Sequence, residues 1–241
     1  MPSPEIKGQQ RGYVIPIGGA EEKINNPEIL KKFVELCGGS EADICIVPTA
    51  SQLEDTGERY QKLFEELGAG NTHWLPISDR NDAKKEEYVI QLESCTGIFI
   101  TGGNQLRLST ILGGTPIAKT IRKLNAQGVH VAGTSAGAAI VSQHMITGGN
   151  TGIVPTEDGV NLAPGMGLIN TIVVDQHFNE RNRLSRLLSA VSYNPFLLGL
   201  GLDEDTAAFI DGDNEFTVVG SGAITVIDPS DIEHSSMAEA R

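Results

Sequence analysis

Val129–Ile140, VHVAGTSAGAAI, is the stretch whose reading decides the fold. It starts as an apolar, β-branched run, passes through Gly133-Thr134-Ser135-Ala136-Gly137, and continues as small residues that a helix accepts. A strand that stops at a serine and turns at once into a helix is the layout of a nucleophile elbow. The bend brings neighbouring backbone close to the serine, so the flanking positions must be nearly bare, as Gly133 and Gly137 are. Ser135 is then expected in a strained backbone conformation. Its hydroxyl would point out of the sheet end, beside the positive end of the next helix. A Gly/Ser-rich turn would carry similar letters, so the reading depends on what the rest of the chain supplies.

Working outward, apolar runs predict strands over 13–17, 44–47, 73–77 and 97–101 ahead of the serine strand. Between them, helical spacing predicts helices over 27–37, 53–67, 86–92, from about 106, and over 116–126. Strands that are continuously apolar, alternating with helices, indicate a parallel sheet covered on both faces. The expected fold is therefore α/β, three-layered and mostly parallel, with short antiparallel strands at the C-terminus over 206–210, 215–219 and 223–227. In such sheets the working loops lie beyond the carboxyl ends of the strands. Gly18-Gly19, Gly102-Gly103 and the Ser135 elbow fall there. None fits G-x-G-x-x-G or a phosphate-binding loop, which disfavours a nucleotide- or flavin-binding protein. Residues 147–167 read as a long loop or flap. A strand over 171–174 opens onto Asp175-Gln176-His177-Phe178, and another spans 197–202. The chain reads as one domain over 1–241, with 1–11 and 230–241 as flexible ends.

The 241 residues carry 31 acidic and 18 basic side chains, a net charge of −13, so nucleic acid is a poor partner. No apolar run approaches a membrane span, and the first residues lack the apolar core of a secretory signal. Cys37, Cys45 and Cys95 show no C-x-x-C spacing and read as small buried residues rather than disulfide or metal partners. A cytoplasmic location is the default expectation.

An activated serine needs a base within hydrogen-bond reach, and the base needs an orienting acid. Of the five histidines, His73 and His130 lie in strands, His144 follows the elbow helix and His234 is in the tail. Only His177 stands just past a strand end among polar residues. Glu204 is the preferred acid, with Asp203 and Asp175 as alternatives. The backbone amides of Ala136 and of Gly103 in the Gly102-Gly103 loop are the expected oxyanion donors.

TGGNQLRL at Thr101–Leu108, AGTSAGAA at Ala132–Ala139, VVDQHFNERNRLSRLL at Val173–Leu188 and GLGLDEDTA at Gly199–Ala207 together resemble the cyanophycinase family. These are serine peptidases related to aspartyl dipeptidase, with a fold like that of the class I glutamine amidotransferases. The resemblance runs from the first strand to about Asp228. It implies Ser135 as nucleophile, His177 as base and Glu204 as the orienting acid. It also implies that Gln105, Asp175, Gln176, Arg181, Arg183 and Arg186 shape the substrate pocket. The implied substrate is cyanophycin, an aspartate backbone bearing arginine on each β-carboxyl, cleaved by exo-type attack to β-aspartyl-arginine dipeptides. A homodimer without metal or other cofactor is implied as well.

Arginine forks suit the carboxylate of each repeat, and acids suit its guanidinium. Arg183 is favoured for this, since helical geometry turns Arg181 away from Arg183 and Arg186. Family members continue past Asp228 into another strand-like segment, which bears on the terminal sheet edge and the dimer contact. The flap over 150–158 has no acid at its centre, and Glu157 or Asp158 would be the triad acid if that loop supplied it. A peptidase for short aspartyl or β-aspartyl peptides and a catalytically silent binding protein are the competing readings.

Overall fold

The strand-forming runs are rich in Ile and Val, and they assemble as parallel neighbours because both of their faces are apolar. The computed structural model describes residues 2–4, 8 and 10–235. Parts of both expected flexible ends, residues 1, 5–7, 9 and 236–241, lie outside the described residues. Arg11, counted in the first of them, donates to Asn125 at 3.1 Å.

In chain order the first half runs β1 (Val14–Ile17), α1 (Glu28–Leu36), β2 (Asp43–Val47), α2 (Thr56–Glu66), β3 (Asn71–Trp74), α3 (Glu86–Glu93) and β4 (Gly97–Ile100). It continues with α4 (Gln105–Leu112), α5 (Pro116–Ala126), β5 (His130–Thr134) and a single turn, α6 (Ala136–Ala139). The second half runs β6 (His144–Gly149), β7 (Val160–Pro164), β8 (Ile172–Gln176), α7 (Leu184–Tyr193) and β9 (Leu198–Leu202). It ends with β10 (Thr206–Ile210), β11 (Phe216–Gly220) and β12 (Ile224–Ile227). The main sheet has the order β11-β10-β1-β5-β4-β2-β3, parallel from β1 through β3 and antiparallel at β10 and β11.

Alternate strand residues serve the two outer layers. Ile15, Ile17, Ile44, Ile46 and Phe99 pack on α1 and α2 through Phe33 and Phe64. Val14, Cys45, Val47, Ile98 and Ile100 pack on α3, α4, α5 and α6. Phe99 meets Phe64 at 5.0 Å and Phe33 at 5.9 Å between ring centroids. β4 and β3 flank β2 on opposite sides, the strand reversal that opens a crevice at the carboxyl ends.

Three expectations are corrected. Residues 147–167 are not a loop throughout: β6 and β7 form an antiparallel hairpin with an irregularity between Ile146 and Gly148. Glycines masked this pairing, which is made across the chain rather than along it. The three C-terminal strands do not form one group, because β10 and β11 extend the main sheet while β12 joins β9 and β8 in a second sheet. β3 spans Asn71–Trp74, starting before the expected 73–77 segment and ending inside it, and Pro76 follows without an N–H to continue the ladder.

All three cysteines are free and buried. Cys37 packs in the layer of α1, while Cys45 and Cys95 come together with His73, a grouping that sequence spacing gave no reason to expect.

Candidate active site

β5 delivers Ser135 at its carboxyl end, and α6 starts on the next residue. Ser135 sits at φ 53, ψ −108, a sparsely populated conformation that an L residue holds only when its surroundings enforce it. The enforcement is close packing. A methyl group added at Gly133 would lie 2.1 Å from the Gly137 carbonyl oxygen, and one at Gly137 would lie 2.2 Å from that of Ile100. The turn closes only because both positions lack a side chain. α6 is one turn long, so the local amide of Ala136 matters here more than any long helix dipole.

The chain after β1 gathers the other parts. Ser135 N–H donates to Ile17 O at 2.9 Å, His177 N–H to Gly18 O at 2.8 Å and Asp205 N–H to Gly19 O at 2.8 Å. Ser135 Oγ then lies 2.9 Å from His177 Nε2, and His177 Nδ1 lies 2.6 Å from Glu204 Oε1. The consistent proton arrangement has Nδ1–H donating to the carboxylate and Nε2 accepting from the serine hydroxyl. Such a relay can make the hydroxyl nucleophilic while the imidazole takes its proton.

His177 itself has φ 47. That backbone turn breaks strand alternation, so Asp175 and His177 do not share a side as the extended pattern of the sequence implies. Asp175 is instead fully buried, and Arg186 binds it with both Nε (2.6 Å) and Nη2 (2.5 Å). Asp203 is also occupied: Oδ1 accepts from Asn179 N–H at 3.1 Å and Oδ2 from Ala223 N–H at 3.3 Å. Glu157 and Asp158 lie in the connection between β6 and β7. Among the acids considered, Glu204 is the one against Nδ1.

Burial holds the imidazole below the ordinary histidine range, opposed by the hydrogen bond to Glu204 and assisted by the charges of Arg181 and Arg183. A base works only while neutral, so a lowered pKa keeps it competent to lower pH. The acid limb of kcat/KM should fall below the usual histidine midpoint of about 6.5. Arg181→Gln, removing an exposed like charge, should move that limb upward. A pH–rate profile of both proteins checks this, and a limb unmoved or moved downward would contradict it.

Gly19 carries a separate geometric demand. At φ +103, a methyl group there would stand 2.4 Å from His177 Cε1 and 2.5 Å from Nε2. Gly19→Ala should push the ring off Ser135 and lower kcat by roughly 100-fold or more. Gly39→Ala is the control, because Gly39 also has positive φ (+59) but open space around its Cα. Steady-state kinetics of both variants, alongside their thermal unfolding, separates ring displacement from backbone strain.

A cleft of about 600 Å³ opens beside Ser135 and His177. Its walls are Gly102, Thr134, the segment Ala20–Ile24 without Glu22, and one side of α2 with Arg59, Tyr60 and Glu66. Glu21 is buried at its base, accepting from Tyr60 OH at 2.6 Å and Thr134 Oγ1 at 2.5 Å, with Lys23 Nζ at 3.0 Å. Sequence reasoning passed over these residues. The available signal was an acid two positions beyond the Gly18-Gly19 strand end.

The remaining expected site residues are placed variously. A methyl group at Gly102 would touch Ser135 Cβ at 3.3 Å, whereas one at Gly103 would strike Ala50 O at 2.1 Å. Gly102 is therefore the glycine whose α-carbon faces the serine, and Gly103 packs on the loop after β2. Gln105 begins α4 and does not line the cleft. Arg183 bonds Gln176 Oε1 at 2.7 Å as well as the Gln176 carbonyl, and stands 3.6 Å from Asp175. Arg183 and Arg186 are thus buried against Asp175 and Gln176, while Arg181 is exposed. Burial and the neighbouring Arg186 bring the Arg183 pKa down to about 10.

The sequence matches peptidase family S51 over residues 14–218. It is 44% identical over 225 residues to a cyanophycinase of Nostoc sp. strain PCC 7120, covering 92% of this chain and 76% of that protein. A cyanophycinase of Geminocystis herdmanii is 45% identical over 226 residues, covering 92% and 83%. The crystal structure of a peptidase from an acI-B1 Actinobacterium superposes with a TM-score of 0.72 at 25% identity, covering 92% of this chain and 93% of that one.

Proposed function

The chain belongs to peptidase family S51, and from that premise we propose that it hydrolyses cyanophycin through an acyl-enzyme on Ser135. The observation that carries this reading is the Ser135–His177–Glu204 relay opening on a cleft lined by both signs of charge. Ser135 Oγ attacks the backbone carbonyl, His177 Nε2 accepts the proton and returns it to the departing amine, and water releases the acyl group by the reverse sequence. Glu204 holds the imidazole tautomer and stabilises the imidazolium. Amides of Ala136 and Gly103 would donate to the oxyanion.

Each substrate repeat carries a carboxylate and a guanidinium. Lys23 and Arg59 in the cleft, with Arg181 beyond His177, suit the first; Glu21 and Glu66 suit the second. Asp175, Gln176, Arg183 and Arg186 form a buried hydrogen-bonded group next to His177 that supports its position. The exo-type product would be β-aspartyl-arginine.

We place the enzyme in the cytoplasm, for which free buried cysteines are suitable, and as a homodimer, for which β11 offers an open sheet edge. No helix among the described residues is long and apolar enough to cross a membrane.

The test is incubation with insoluble cyanophycin and, separately, with β-aspartyl-arginine, with products resolved by mass and Ser135→Ala run in parallel. Release of the dipeptide from polymer supports the proposal. Intact polymer with cleavage of short aspartyl peptides would transfer it to a dipeptidase.

A further inference from the structure

A second cluster of reactive side chains lies away from Ser135. Cys45 on β2, His73 on β3 and Cys95 just before β4 present Sγ, an imidazole nitrogen and Sγ all within 4.8 Å of one another. Their meeting follows from the sheet. β2 and β3 pair in parallel with Cys45 directly beside His73, so both side chains share one face. Cys95 enters that face where the chain leaves α3. Asp43 and Cys95 lie at the amino ends of β2 and β4, whereas Ser135 and Gly102 lie beyond carboxyl ends.

The distances suit a thiophilic ion. Cys95 Sγ and His73 Nε2 are 3.7 Å apart. In a tetrahedral zinc site with bonds of about 2.3 Å to sulfur and about 2.0 Å to nitrogen, those two atoms stand roughly 3.5 Å apart. A second observation points the same way. Asp43 Oδ1 is buried without a hydrogen-bond partner, and it stands 3.4 Å from His73 Nδ1. Metal-bound histidines place a carboxylate at their other ring nitrogen, where it fixes the tautomer and raises ligand basicity. With Nε2 directed at a thiol and Nδ1 at Asp43, His73 has that arrangement before any ion arrives.

Binding an ion there would release the thiol protons of its cysteine ligands to solvent. His73 and Asp43 are only partly buried and give the ion a path in.

We propose that Cys45, Cys95 and His73 bind a thiophilic divalent cation, zinc being the first candidate, with Asp43 orienting His73. The ion would join β2, β3 and the entry to β4, acting on stability rather than on the chemistry at Ser135.

The test uses the full chain, reduced and stripped with a chelator, then titrated with zinc against a chromophoric chelator and separately with Co(II). One ion per chain and thiolate-to-cobalt charge-transfer absorption are expected, with peptidase rate unchanged. Cys95→Ser should abolish the absorption. The partly exposed His73→Gln, least disruptive to folding, should weaken zinc at least tenfold, and Asp43→Asn about 10- to 100-fold. Cys37→Ala should bind as the parent does. No charge-transfer absorption in the parent, affinity surviving His73→Gln, or equal loss in Cys37→Ala would overturn the proposal. So would a Cys45–Cys95 disulfide that forms in air despite saturating zinc.

Discussion

Ser135→Ala is expected to lower kcat by about 10⁴- to 10⁶-fold, the range seen when a catalytic serine working as part of a relay is removed. His177→Ala should cost a similar amount, and the double variant should be little worse than either single one. The reason is structural. Nε2 stands 2.9 Å from Oγ, and without either partner the other has no reaction to assist. Additive losses would mean that the two side chains act independently. Binding should survive in Ser135→Ala, because Oγ contributes little to the charged walls of the cleft. Single-turnover rates and polymer co-sedimentation measure the two effects separately, and covalent labelling by a serine-directed reagent should disappear in the same variant.

Asp175→Asn is expected to give the largest loss of stability among substitutions near the site. Asp175 is fully buried, with Arg186 on both carboxylate oxygens and Arg183 at 3.6 Å. Removing its charge leaves two buried guanidinium groups uncompensated, which typically costs about 3–5 kcal/mol. For a chain of this length that corresponds to a fall in Tm of roughly 6–20 °C. Arg186→Met added to Asp175→Asn should recover part of it, because the pair is then removed together. Thermal unfolding of the three variants checks this. A variant with parental Tm but a raised KM would instead identify Asp175 as a substrate contact.

These expectations draw on different kinds of legibility. The elbow could be read from letters because its constraint is local: Gly133 and Gly137 are bare where 2.1–2.2 Å approaches leave no room for a methyl group. The strand runs were equally plain, since a strand buried on both faces must be apolar throughout. Residues near Ser135 in space but far away in the chain were less legible. Tyr60 reads as one more position on a buried helical stripe, yet its hydroxyl bonds Glu21 at the base of the cleft. Arg183 and Arg186 read as candidates for a carboxylate of the substrate, yet a buried carboxylate of the protein itself draws both inward.

By itself, then, the sequence determined the parallel α/β architecture, the bend that carries Ser135 and a histidine beyond a later strand. These follow from apolar periodicity and from steric limits within a few consecutive residues. Tertiary structure alone decided which acid meets His177, where the arginines go, how residues 144–164 pair and what walls the cleft. The left-handed turn at His177 reverses side-chain alternation, and the partners lie 42 and 27 residues away along the chain. Such contacts depend on how separate strands close on one another, which no local pattern of residues encodes.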